Sequence, residues 1–98
     1  MNNLNSVLIE GDIVEVVDYP PGVEEAYIVI ACRRSFEKDG KPMKGVSYFT
    51  VKVPINSIKD KVLIPHTLIR VVGRLVSGID RVYIVAEHIE FKPQRKGS

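Results

Sequence analysis

The sequence predicts an all-β domain of five strands, with one short helix between the third and the fourth. Three observations predict it. Runs rich in Val and Ile are separated at short intervals by clusters of Gly, Pro, Asp and Ser. Residues 46–53 alternate strictly between two sets of side chains, the period of a strand. Only residues 54–65 depart from that pattern toward helical spacing.

The first strand covers residues 6–17. Gly11 interrupts it, as a bulge or sharp bend at a barrel corner would. Asp18-Tyr19-Pro20-Pro21-Gly22 is a loop, because paired prolines and a glycine cannot continue a ladder. The second strand is residues 26–36. Asp39-Gly40-Lys41-Pro42 supplies turn chemistry, with Gly45 extending the loop. In the third strand, 46–53, Ser47, Phe49, Val51 and Val53 form a core face. Val46, Tyr48, Thr50 and Lys52 form a face for solvent or ligand.

Ile55, Ile58, Val62 and Leu63 then repeat at roughly helical spacing, and Asn56 or Ser57 is a candidate cap. Pro54 and Pro65 bound this segment, so its helix spans about two turns at most. Residues 67–76 and 81–91 form a final hairpin around a turn at 77–80.

Ninety-eight residues make one small domain with a modest core, for which self-association is a common source of stability. The apolar stretches are too short to cross a bilayer, and residues 1–6 lack a basic signal region, which makes the cytosol the default location. Cys32 is the single cysteine, so no intrachain disulfide forms.

The net charge of +2 conceals an asymmetry. Residues 1–30 hold six carboxylates and no Lys or Arg, whereas residues 31–52 hold six basic residues against two acidic ones. That pattern suggests a localised cationic face, or simply a solvated hairpin. Phosphate loops, dinucleotide fingerprints and nucleophile elbows are absent from the sequence. His66 and His88 lack the spacing of a metal site, and Cys32 reads as a buried inert thiol. The reading is a non-enzyme without cofactor or metal.

Two strings carry a resemblance: Asn5-Ser6-Val7-Leu8-Ile9-Glu10-Gly11-Asp12, and the closing segment TLIRVVGRLVSGIDRVYIVAEHIEFKP of residues 67–93. Together they resemble the bacterial single-stranded DNA-binding protein family. The resemblance implies an OB-fold, a five-stranded Greek-key barrel, over residues 1–93, with a short basic tail at 94–98. It also implies single-stranded DNA as ligand, bound without sequence preference in replication, recombination and repair. Further implications are nucleoid association and a homotetramer or homodimer, with Val7 and Ile9 near the paired edge.

Such proteins combine a cationic groove with aromatic rings that stack on bases. Ser35-Phe36-Glu37-Lys38 and Ser47-Tyr48-Phe49 match the positions where the family carries its stacking aromatics, often tryptophan, which this chain lacks. Tyr48 is the expected stacker and Phe49 a core residue. Phe36 shares parity with Ile28 and Ile30, so it is either core or turned outward by a bulge between Cys32 and Ser35. Arg33, Arg34, Lys38, Lys41, Lys44 and Lys52 form the expected phosphate track, extended by Arg70 and Arg74 on the fourth strand. Tyr19 and Tyr27 are weaker candidates.

The resemblance is weak over residues 54–66. At the end of the chain, Gln94-Arg95-Lys96-Gly97-Ser98 stands where the family has an acidic tip that recruits replication enzymes. The chain is a truncated form or a divergent member, and recruitment through that tip is not expected. The alternative function is a divergent OB-fold protein-interaction module, a primosome-like accessory subunit. An RNA-binding OB domain is a third reading.

Overall fold

The computed structural model describes residues 3–17, 22–58 and 67–92. Its elements are β1 (Val7–Val16), β2 (Glu25–Lys38), β3 (Lys41–Pro54), α1 (Ile55–Ile58), β4 (Leu68–Ser77) and β5 (Val82–Phe91). The strands close into a barrel in the order β1-β2-β3-β5-β4. All neighbours run antiparallel except β3 and β5, which pair in parallel at Val51↔Ile84 and Lys52↔Val85.

Alternation fills the barrel. Ile28 and Ile30 from β2, Val51 and Val53 from β3, Ile69 and Val71 from β4, and Ile84 from β5 point inward and are almost completely buried. Ile58 of α1 joins the same cluster, so the helix closes one end of the barrel. The helix is one turn long. Asn56 and Ser57 lie inside it rather than capping it, and the Ile55 N–H donates to the Glu24 carbonyl at 2.8 Å. Val62, Leu63 and His66 lie outside the described residues, as do Tyr19 and the tail at 94–98.

The barrel curves where strands come close. The β1–β2 register shifts between Ile13 and Glu15, two residues beyond the glycine expected to mark the bend. Gly11 serves a different need: a Cβ there would meet the Ala31 carbonyl and the Ile30 side chain. Gly73 does the same for the Val85 carbonyl, beside the β4–β5 register shift at Val72/Gly73.

The β2–β3 hairpin is longer than the sequence reading allowed. Its register runs unbroken from Glu25↔Pro54 to Lys38↔Lys41. Only Asp39 and Gly40 form the turn, with φ of 51° and 76°. Two successive positive φ values define a type I′ turn, whose twist matches the strands, and Asp-Gly suits it. Pro42 and Gly45 therefore belong to β3. Pro42 is tolerated because β3 has only β2 beside it there, an edge position.

Above Ala31 on β2 and Val51 on β3 the two strands pair only with each other, so the hairpin projects from the barrel. This corrects two expectations. Phe49 has the inward parity of Val51 and Val53, yet it is 36% exposed because β3 has left the barrel at that height. Phe36 stays in phase with Ile28 and Ile30, since the β2–β3 ladder has no bulge between Cys32 and Ser35. It is exposed all the same, because no barrel lies beneath it.

Candidate nucleic-acid interface

The projecting hairpin has two faces. Cross-strand partners point the same way, so the outward face carries the pairs Tyr27↔Lys52, Val29↔Thr50, Ala31↔Tyr48, Arg33↔Val46 and Ser35↔Lys44. The opposite face carries Ile30↔Phe49, Arg34↔Gly45, Phe36↔Met43 and Lys38↔Lys41. The predicted residues are therefore divided. Tyr48, Arg33, Lys44 and Lys52 share the outward face; Phe36, Arg34 and Lys38 share the other.

Tyr48 stands across from the small Ala31 and is 64% exposed, an open ring on an outward strand. Five basic and two acidic residues lie between positions 33 and 44. Lys38, Lys41 and Lys44 make no ion pair among the described residues, and neither does Arg74. On the opposite face the Arg34 guanidinium lies 5.1 Å from the centre of the Phe36 ring. Both side chains lie over Gly45, where an added Cβ would come within 3.3 Å of each. Gly45 thus leaves the room that this cation–π pair occupies.

Other predicted cations are engaged. Arg33 donates from Nε and Nη2 to the two carboxylate oxygens of Asp12, each at 3.2 Å, and this holds its protonation above the ordinary arginine range. Lys52 lies 3.2 Å from Glu25, which raises its pKa. Arg70 binds Glu10 at 2.9 Å from the β1–β4 surface, and Lys92 reaches the same carboxylate at 3.0 Å. Hydrogen bonds from Lys92 and then Arg70 pull the Glu10 carboxyl below the usual range. Arg74 joins the outward row through β5, in the register Lys52↔Val85↔Arg74. Burial, and then Asp12, push the Cys32 thiol upward, in keeping with an unreactive thiol.

Below Tyr48 the outward face opens into a cleft of about 640 Å³. Tyr27, Val29 and Thr50 form its floor; Glu15 and Val17 of the β1 end stand on one side. The β4–β5 loop and Tyr83 close the other. Tyr27 and Tyr83 meet edge to face, with centroids 6.2 Å apart at 76°. The loop is tight: the Gly78 N–H donates to the Arg81 carbonyl at 2.7 Å, and the Tyr83 ring lies against Gly78.

Sequence reasoning rated Tyr27 low and missed Tyr83 and Arg81. The available signal was the outward parity of Tyr83 next to inward Ile84 and Ala86. The described residues contain no group of three or more His, Cys, Asp or Glu placed to hold a metal ion, and no helix long and apolar enough to cross a membrane.

The sequence matches no family model and no curated protein. The fold is matched widely. A single-stranded DNA-binding protein from Plasmodium falciparum, solved with single-stranded DNA, superposes with a TM-score of 0.72 at 14% identity, over 95% of this chain and 98% of that one. The chain has an OB-fold.

A small single-stranded DNA-binding protein from Mycoplasma pneumoniae shares this OB-fold at 19% identity and a TM-score of 0.64, with 96% and 99% of the two chains covered. PriB from Ralstonia solanacearum does so at 15% and 0.65, with 91% and 98% covered. OB-folds in general bind oligomers on the strand 2–3 face, between the loops after strands 1 and 4. The tyrosine cleft occupies that position.

Proposed function

We propose that the chain is a non-catalytic single-stranded DNA-binding protein whose interface is the outward face of the β2–β3 hairpin and the cleft below it. One observation carries the reading: an exposed tyrosine, Tyr48, stands on the strand that bears Lys44, unpaired among the described residues, and leads down to the Tyr27–Tyr83 cleft. Bases would stack on Tyr48 while phosphates follow Lys44 on the same face, with Lys38 and Lys41 turned to the other face of the hairpin. Arg33 and Lys52 would contribute by exchanging Asp12 and Glu25 for phosphate, and Arg74 extends the row. Arg70 is the weakest member of the predicted set, because Glu10 already holds it.

The roles that follow are those of a strand-coating protein in replication, recombination and repair, at the nucleoid. The edge of β1 from Val7 to Gly11 pairs with β4 but not with β2, which leaves it open to a strand from a second copy, as a homodimer or homotetramer needs.

A second reading has its own support. Phe36, Met43 and Phe49 are each more than a third exposed on the inward-parity side of the hairpin. An apolar face of this kind suits a protein partner, as the alternative of a primosome-like interaction module requires.

Fluorescence anisotropy of labelled oligo-dT, titrated at several salt concentrations with duplex DNA as control, separates the readings. Each phosphate contact to a single strand contributes a slope of about −0.7 in log K against log salt, so three or four contacts give about −2 to −3. Strong preference for the single strand with a slope in that range is expected. Absence of binding at low salt would reject the DNA reading and leave the protein-interaction module.

A further inference from the structure

The cleft beside the cationic hairpin has the wrong charge for a phosphate track. Glu15 lines one side and makes no ion pair among the described residues. Asp80 lines the other, and the one arginine among the described residues of the cleft, Arg81, lies 3.7 Å from Asp80 itself. A phosphate placed inside would meet an uncompensated carboxylate at Glu15. The walls are nevertheless suited to a flat ring: Tyr27 and Tyr83 are fixed edge to face, and Val29 and Thr50 supply an uncharged floor. The volume of about 640 Å³ lies within the range of small-molecule sites. Aromatic walls with free hydrogen-bond acceptors and no free cation among the described residues describe a pocket for a base edge rather than for the backbone.

The geometry points to a base-selective subsite. Resting on the single-strand reading above, we infer that the cleft takes one nucleobase with an amine where thymine has its 4-carbonyl, cytosine or adenine, in preference to thymine. The ring lies against the tyrosines, and its amino group donates to the Glu15 carboxylate. A carboxylate has acceptors only, so it pairs with the 4-amino group of cytosine or the 6-amino group of adenine. Thymine presents a carbonyl oxygen at its 4-position, and two acceptors face each other without a proton between them. Asp80, exposed at the rim, adds a second acceptor beside Arg81. Stacking on Tyr48 remains indifferent to the base. The protein would thus coat any single strand, with a preference set at one position per chain.

The test compares oligo-dC with oligo-dT of one short length at neutral pH, by anisotropy, with the wild-type chain and Glu15→Gln. The two bases share ring size, and at the 4-position they offer an amine against a carbonyl. One carboxylate–amine contact predicts tighter binding of oligo-dC by about fivefold. Gln offers both a donor and an acceptor, so in Glu15→Gln the two affinities converge while the salt slope stays near that of the wild type. Glu15 is exposed, so the substitution leaves the fold in place, checked by an unchanged thermal midpoint. Equal affinities in the wild type, preference for oligo-dT, or a cytosine preference that survives in Glu15→Gln would each overturn the subsite while leaving single-strand binding standing. No binding of either oligomer would overturn the reading on which it rests, and the subsite with it.

Discussion

Replacing Tyr48 with alanine is expected to weaken oligo-dT binding by about 1–3 kcal/mol, the value of one stacked base. That is a loss of about 5- to 150-fold in affinity. The ring is mostly exposed and faces Ala31, so little packing disappears with it. The thermal midpoint should therefore move by less than about 3 °C. Phe36→Ala is the informative comparison. Phe36 sits on the other face of the same hairpin and is already covered in part by Arg34. Its loss should weaken binding less than that of Tyr48. The reverse order, with Phe36→Ala the more damaging variant, would move the site to the inward-parity side of the hairpin.

Ile30→Ala is expected to cost about 2–5 kcal/mol of stability, the range for truncating a buried aliphatic side chain. Ile30 is fully buried, paired with Ile13 of β1 on one side and Phe49 of β3 on the other. Phe49 is partly exposed, so no larger layer above it shields the resulting cavity. A domain of this size has about 5–15 kcal/mol in total, and a drop of at least about 10 °C in the thermal midpoint follows. A loss below about 1 kcal/mol would mean that the barrel can repack around the gap. It would also mean that Ile30 is not the inward layer from which the hairpin projects.

Much of this architecture is visible in the residues. The alternation of residues 46–53 assigned Tyr48 to one face and Val51 and Val53 to the other, and the structure agrees. Five strands and a short helix before the fourth are likewise present. The failures share a cause. Alternation reports the side of a strand on which a residue stands, not whether a barrel lies beneath it. Phe49 and Phe36 keep the inward parity and are still exposed, because closure ends near Val51 and Ala31 while the ladder continues to Lys38.

The extra length of the hairpin follows from Asp39-Gly40, a two-residue turn that Pro42 and Gly45 obscured. Contacts between distant strands were beyond any local pattern. The parallel β3–β5 pairing brings Tyr83 to Tyr27, and the β1–β4 register places Glu10 against Arg70. The first creates the cleft. The second removes Arg70 from the set of free cations.

The central claim is that one face of the β2–β3 hairpin, and not the other, receives the strand. Chemical-shift mapping on isotope-labelled protein tests it most directly, with short oligo-dT added stepwise. The account predicts perturbations concentrated at Lys44, Val46, Tyr48 and Thr50 and continuing into the cleft at Tyr27 and Tyr83. Arg34, Phe36 and Met43 should change less, and the β1–β4 surface around Arg70 should remain still. Shifts concentrated at Phe36 and Met43, or along the β1–β4 surface with the hairpin's outward face unchanged, would contradict it.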